Sequence, residues 1–141
     1  MQKIVIDTNV IISAFLTKGI PSKIISHLVL EQKVQICTSD PVWEEYINVV
    51  NREKFSRFPN FKSNAHFVLS FIREISFHVH PEQKVQILKD LDDNKFLELA
   101  HKVEADFIIT GNTNDFTIET FGKTKIVSPS EYWQFHKPET D

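Results

Sequence analysis

Glycine is scarce in this chain. Of 141 residues only Gly19, Gly111 and Gly122 are glycine, where average usage of about 7% would give roughly ten. No two of them stand close enough to form a GxGxxG or GxxxxGK loop, so a glycine-rich phosphate cradle is excluded. Cys37 is the only cysteine, which excludes an internal disulfide and any multi-cysteine zinc centre. Basic charge is not in excess. Sixteen Lys and Arg face nineteen Asp and Glu, a net charge of −3. Generic nucleic-acid binders carry the opposite imbalance, although a local site can oppose the total. Long apolar runs are missing too, and none approaches the roughly 18 residues of a membrane span. Ile4-Val5-Ile6 and Val10-Ile11-Ile12 are split by Asp7-Thr8-Asn9, and no small-residue cleavage site follows. The expectation is a soluble, cytoplasmic protein with a reduced thiol. Cys37 is then most simply a small buried hydrophobe.

What is present fits one domain. At roughly 150 residues per domain the length allows one, over residues 1–136, with 137–141 as a disordered tail. A chain of this size buries about two-thirds of its unfolded surface and needs no staple. Strands and helices alternate. Ile4-Val5-Ile6 has the apolar run of a buried parallel strand, and Val10 to Leu16 continues as a helix. Ile24, Ile25, Leu28 and Val29 recur at helical spacing, so Ser22 to Gln32 reads as a second helix, with Pro21 in its first turn. Val34 to Cys37 is the next strand. Asp40-Pro41 pairs a capping residue with a proline at the first helical position. Val42, Trp43, Tyr46, Ile47 and Val50 mark the buried face of that helix. The stretch from Lys54 to Lys62 is irregular. Phe67, Phe71, Ile72 and Ile75 define another helix, and Phe77 to His80 a strand ended by Pro81. A helix through Phe96, Leu97, Ala100 and Val103 begins near Asp92 or Asp93. Phe107-Ile108-Ile109 and Lys125-Ile126-Val127 are strands, and Ser128-Pro129-Ser130-Glu131 is a capping box that opens a last helix. This alternation predicts an α/β sandwich of three layers, α/β/α, around a mostly parallel sheet of about five strands.

In an open parallel sheet, ligands bind beyond the C-terminal strand ends. Asp7, Thr8 and Asn9 follow the first strand. Thr38, Ser39 and Asp40 follow the second, with Glu44 and Glu45 one turn into the helix. A helix opens at Asp92-Asp93-Asn94, and Thr110, Gly111, Asn112, Asn114 and Asp115 follow the strand at Phe107. Short polar residues from four stretches therefore gather at one sheet edge. Converging carboxylates raise one another's pKa, and a divalent cation relieves that repulsion. Hard oxygen donors suit Mg²⁺ or Mn²⁺. Read alone, Asp7 is as readily a helix N-cap as a ligand, and Asp40 reads as a cap. The shared location is what favours a site. Glu44 and Glu45 flank the apolar face of their helix at nearly equal angles, so periodicity does not choose between them.

The same residues form an ordered series. Ile4-Val5-Ile6-Asp7-Thr8-Asn9-Val10-Ile11-Ile12-Ser13 resembles the opening of a PIN-domain nuclease. Thr38-Ser39-Asp40-Pro41-Val42-Trp43-Glu44-Glu45-Tyr46 is similar to the second motif of that family, where a helix carries an essential Glu. Asp90-Leu91-Asp92-Asp93-Asn94-Lys95-Phe96-Leu97-Glu98-Leu99-Ala100 is similar to the third, whose register selects Asp93. Ile109-Thr110-Gly111-Asn112-Thr113-Asn114-Asp115-Phe116 resembles the fourth. The wording around Asn94-Lys95 and Thr110-Gly111-Asn112 is similar to that of bacterial PIN toxins of toxin–antitoxin pairs. The resemblance implies a metal-dependent ribonuclease with one or two Mg²⁺ or Mn²⁺ ions on Asp7, Glu45, Asp93 and Asp115. Thr8, Asn9, Ser13, Thr110 and Asn112 would support them. It favours Glu45 over Glu44, because Glu directly precedes an apolar residue in the family pattern. It also implies an RNA substrate, a small cognate antitoxin and a homodimer. Many relatives carry Asp where this chain has Asn112, and others carry Asn there with Asp three residues on, which matches Asp115.

Other features stay outside that series. Arg52, Lys54, Arg57 and Lys62 interleave with Phe55, Phe58 and Phe61. Such a mixture can grip phosphates and stack on unpaired bases, or its rings can fill core while its charges solvate the rim. His78-Val79-His80 sets two imidazoles on one strand face, but no third ligand is evident, so an incidental surface pair is expected. A catalytically weakened RNA- or protein-binding module of the same fold is the rival that Asn112 keeps open. A haloacid-dehalogenase-type phosphatase needs a second Asp two positions after the first, and Asn9 stands there. A receiver domain needs its acceptor Asp after a middle strand, where Thr38-Ser39 stand. With two ions bound, the net charge moves from −3 to about +1.

Overall fold

A computed structural model describes residues 1–82, 93–111 and 119–138. Six strands form one sheet in the order β3-β2-β1-β4-β6-β5. Its elements in chain order are β1 (Lys3–Ile6), α1 (Thr8–Leu16), α2 (Ile20–Ile24), β2 (Gln35–Ser39), α3 (Asp40–Val50), α4 (Phe61–Ile75), β3 (Phe77–Val79), α5 (Asn94–Val103), β4 (Phe107–Ile109), β5 (Thr120–Phe121), β6 (Thr124–Val127) and α6 (Pro129–His136). All pairs are parallel except β5 with β6. Among the described residues no helix is long and apolar enough to cross a membrane.

The order of strands decides where a site can form. The chain steps outward from β1 to β2 to β3, then returns past β1 to β4. Crossovers between parallel strands are right-handed, so the outward helices α1 to α4 lie on one face and α5, on the return, lies on the other. The packing agrees: α5 lies against β1, β2, β3 and β4, while α1 touches α2, α3 and α4. The direction reverses between β1 and β4, which is the switch point where a crevice opens. The central strands are fully buried, with Ile4, Val5, Ile6, Ile108 and Ile109 at 0% exposure. On the return face Phe96, Leu97, Leu99, Ala100 and Val103 of α5 are buried against the sheet. Each large apolar side chain so buried contributes about 1.5–3 kcal/mol.

Several expectations are corrected. The second helix is not a uniform α-helix from Ser22 to Gln32. It begins at Ile20 with Pro21 in its first turn, and from Ile25 to Val29 it widens into a π-helical turn. β2 runs on through Ser39, because Cys37, Thr38 and Ser39 pair with Phe77, His78 and Val79. The cap of α3 therefore falls on Ser39, whose hydroxyl accepts the Val42 N–H at 3.4 Å, and not on Asp40. The buried face of α4 is Phe61, Ala65, Leu69 and Ile72, a heptad-like stripe. Phe67 and Phe71 lie outside it and are exposed, so aromatic content misleads the periodicity there. The short β5 is an addition to the expected strands. It is joined to β6 through Gly122, whose φ of +60° suits the tight hairpin. The capping box of α6 is present, with Glu131 and Ser128 bonding reciprocally.

Candidate functional site at the sheet switch point

Asp7 sits at the end of β1, where its backbone N–H donates to the Ile109 carbonyl of β4 at 2.9 Å. It occupies the N-cap position of α1, and its carbonyl accepts from Val10 and Ile11. Its carboxylate makes no capping bond. Instead Oδ2 accepts from the Thr110 hydroxyl at 2.7 Å, across the switch point. Both side chains are buried, Asp7 at 6% and Thr110 at 0% exposure. The carboxylate is thus oriented by the residue that follows β4 and not by a capping bond to its own helix.

Glu45 arrives from α3. Its Oε2 accepts from the Thr8 hydroxyl, on the residue directly after Asp7. Its Oε1 accepts from the Lys95 ammonium at 2.7 Å. Glu44 is exposed. The distinction that periodicity leaves open follows from packing: Val42, Tyr46, Val49 and Val50 are the buried stripe, and Glu45 borders it on the side of α1. Tyr46 fixes this approach, because its buried hydroxyl donates to the carbonyl of Ile6, one residue before Asp7. The Tyr46 phenol is pushed well above its usual pKa, first by burial and then by the carboxylates of Asp7 and Glu45. One buried ring thus feels both acids.

Asp93 immediately precedes α5, at its N-cap position, and makes no side-chain capping bond. Lys95, in the first turn of the same helix, reaches Glu45. Sequence reasoning missed Lys95. The signal was available, since a cation is disfavoured in the first turn of a helix and needs a local reason to be there. The pair is sheltered, with side chains 19% and 23% exposed.

The described hydrogen bonds thus form two groups, Thr110 with Asp7, and Thr8 and Lys95 with Glu45, which meet at the Asp7–Thr8 peptide bond. Among the supporting candidates Asn9 is exposed and Ser13 is half-buried on α1, where its carbonyl accepts from Thr17. Asn112 and Asp115 lie outside the described residues. In the basic segment Phe55 and Phe61 stack at 5.0 Å and are buried, whereas Phe58 is exposed. Lys54 lies 5.1 Å from the Phe55 ring and Arg57 5.1 Å from the Phe58 ring. Two of the three aromatics are therefore core, and the cations keep the rim. Cys37 is buried, and burial pushes its thiol up to about 12, so it is no nucleophile. A cavity of about 570 Å³ lies between α5 and the β5–β6 hairpin, and none of these acids lines it.

Comparison with known proteins agrees with this geometry. A family profile described as PIN domain matches residues 3–114. The uncharacterized protein MJ1680 of Methanocaldococcus jannaschii is 30% identical over 139 residues, covering 92% of this chain and 88% of its own. Two solved structures share the fold at low identity. One is VapBC2 from Rickettsia felis bound to a DNA fragment from their promoter, with a TM-score of 0.59, 14% identity, and 90% and 98% of the two chains covered. The other is FitAcB from Neisseria gonorrhoeae, with a TM-score of 0.56, 16% identity and the same coverage.

Proposed function

Since the chain belongs to the PIN-domain family, whose members are nucleases, we propose that it is a divalent-metal-dependent endoribonuclease and the toxin of a type II toxin–antitoxin pair. The carrying observation is the docking of Glu45, through Thr8, beside the buried carboxylate of Asp7 at the switch point. Nucleases of this family generally use divalent metals, and the donor set here fits one. It consists of carboxylate oxygens, the hard donors that Mg²⁺ and Mn²⁺ prefer. Asp7, Glu45 and Asp93 would hold one or two such ions, with Asp115 as a fourth acid and Asn112 as a neutral helper on their sequence positions. When bound, the cation polarises the scissile phosphate and lowers the pKa of an attacking water.

The chain's own residues do the rest. Thr110 and Thr8 each donate to one carboxylate oxygen, which fixes the orientation of Asp7 and Glu45. Lys95 offsets the charge of Glu45 and adds a cation where an RNA phosphate must approach. Asp93 stands at the N-terminus of α5. Lys54 and Arg57 on the rim, with Arg52 and Lys62, would contact the RNA backbone beyond the scissile bond. Water attacks in line, leaving a 5′-phosphate and a 3′-hydroxyl. The fold shared with VapBC2 and FitAcB supports a small antitoxin as partner, and a homodimer belongs to the same reading.

The test is cleavage of single-stranded RNA by the wild type and by an Asp7→Asn, Asp93→Asn double variant, each with Mg²⁺, Mn²⁺ or EDTA. Wild-type cleavage that EDTA and the double substitution both abolish is the expected result. Equal cleavage by both proteins would sink the assignment. A search for a small neighbouring open reading frame whose co-expression relieves growth arrest tests the antitoxin, and sedimentation gives the oligomer.

A further inference from the structure

A second cluster of ligand-type side chains lies outside the switch point. β3 pairs with β2 so that Thr38 stands beside His78, and this places Asp40, two residues on, next to His78 and His80. The Nε2 of His78 lies 2.7 Å from Asp40 Oδ1, and the Nδ1 of His80 lies 3.5 Å from Asp40 Oδ2. One nitrogen of each histidine and one oxygen of Asp40 all fall within 4.8 Å of one another. The third ligand that the sequence did not offer is Asp40, released from capping because Ser39 caps α3.

Hydrogen bonds behind His78 hold its ring in place. The Ser76 hydroxyl donates to the Arg73 carbonyl at 3.1 Å, which can only accept. The Thr38 hydroxyl lies 3.0 Å from Ser76 Oγ and 2.8 Å from Nδ1 of His78. Nε2 of His78 is thereby turned toward the Asp40 carboxylate. The arrangement of a carbonyl, two hydroxyls and an imidazole is the outer-sphere support that orients metal-bound histidines.

We propose that Asp40, His78 and His80 form a transition-metal site distinct from the nuclease centre, taking Zn²⁺ or a similar borderline divalent ion. Two imidazole nitrogens and one carboxylate oxygen suit Zn²⁺, Co²⁺, Ni²⁺ or Cu²⁺ rather than Mg²⁺. Tetrahedral ligands about 2.0–2.1 Å from a metal sit roughly 3.3 Å apart. One donor atom from each of the three residues already lies within 4.8 Å of the others, so a modest contraction brings them to that spacing. His80 is the most exposed of the three, at 76%, and supplies the remaining contraction, whereas His78 is anchored at 11%. A cavity of about 110 Å³ opens beside the cluster, lined in part by Asp40, His80, Lys95 and Glu98. It leaves room for water at the open coordination positions.

The experiment is a Co²⁺ titration of the untagged, EDTA-dialysed chain, followed by visible absorption, with Zn²⁺ as competitor. A visible band that saturates at one Co²⁺ per chain in the Asp7→Asn, Asp93→Asn variant, and that Zn²⁺ displaces, is expected. His80→Gln, at an exposed position, should weaken binding at least ten-fold, and Thr38→Val should weaken it about ten-fold through His78. The Asp7→Asn, Asp93→Asn variant should bind Co²⁺ at this site as the wild type does. Absence of a Co²⁺ band, which would mean that a proton alone joins His78 to Asp40, overturns the proposal. So does a band that His80→Gln leaves unchanged or that the Asp7→Asn, Asp93→Asn variant lacks.

Discussion

Replacing Thr110 by Val removes one hydroxyl and keeps the shape of the side chain. That hydroxyl donates to Asp7 Oδ2 at 2.7 Å between two buried groups. A hydrogen bond to a charged acceptor contributes about 1.5–3 kcal/mol, and its loss inside a protein leaves the carboxylate oxygen with a desolvation penalty of that order. In urea, with a slope near 2 kcal/mol/M for a chain of this size, the midpoint should fall by about 1 M at unchanged slope. In a thermal scan the loss corresponds to roughly 3–12 °C. Thr110→Ser keeps the donor and loses one methyl group, about 0.8 kcal/mol, so its midpoint should lie between the other two. An unchanged midpoint for Thr110→Val would refute the claim that this bond orients Asp7. Equal losses for Val and Ser would refute it as well, because they would trace the effect to the methyl group.

Three further outcomes follow from the same structure. Lys95→Met should lower RNA cleavage by about 10- to 100-fold, the usual effect of removing a group that orients a metal ligand, while a urea titration shows the fold intact. Substituting Lys54 and Arg57 by Gln should weaken RNA binding evenly across sequences. It should also reduce the slope of log K against log salt by about 0.7 for each phosphate no longer neutralised, read by filter binding over a KCl series. His136 packs against Phe107 and Tyr132, and its burial holds its pKa below the ordinary 6.5. The unfolded chain then binds the proton first, so this residue's contribution is intact above pH 6.5 and is lost as the pH falls below it. The melting temperature of His136→Gln should therefore depend less on pH than that of the wild type between about pH 7.5 and 5.5.

The parts of the fold that are legible in the sequence are those fixed by local chemistry. Ile4-Val5-Ile6 and Phe107-Ile108-Ile109 are short apolar runs, and both are buried central strands. Ser128 and Glu131 stand three apart with a proline between them, and the capping box forms. The parts that are not legible depend on partners far along the chain. Lys95 and Glu45 are 50 residues apart, so no spacing rule joins them. His78 and Asp40 are 38 apart, and only the β2–β3 register brings them together. Asp-Pro is a strong local signal for a cap at Asp40, but the strand pairing of Ser39 moves the cap back by one residue. β5 has two residues, too few to show an alternation, and the glycine of its turn is its one cue. On α4 apolar side chains lie on more than one face, so periodicity does not separate the buried Leu69 from the exposed Phe67.

The central claim is that acids from β1, α3 and the start of α5 act as one cation-dependent centre. Glu44 and Glu45 test it most directly, because they are adjacent, identical in chemistry and differently placed. The measurement is the rate of cleavage of end-labelled single-stranded RNA as Mn²⁺ is raised, for the wild type, Glu44→Gln and Glu45→Gln. The account predicts a wild-type curve for Glu44→Gln, whose carboxylate is exposed, and cleavage no faster than in EDTA for Glu45→Gln, whose carboxylate is held by Thr8 and Lys95. Loss of activity in Glu44→Gln with Glu45→Gln unaffected would contradict it.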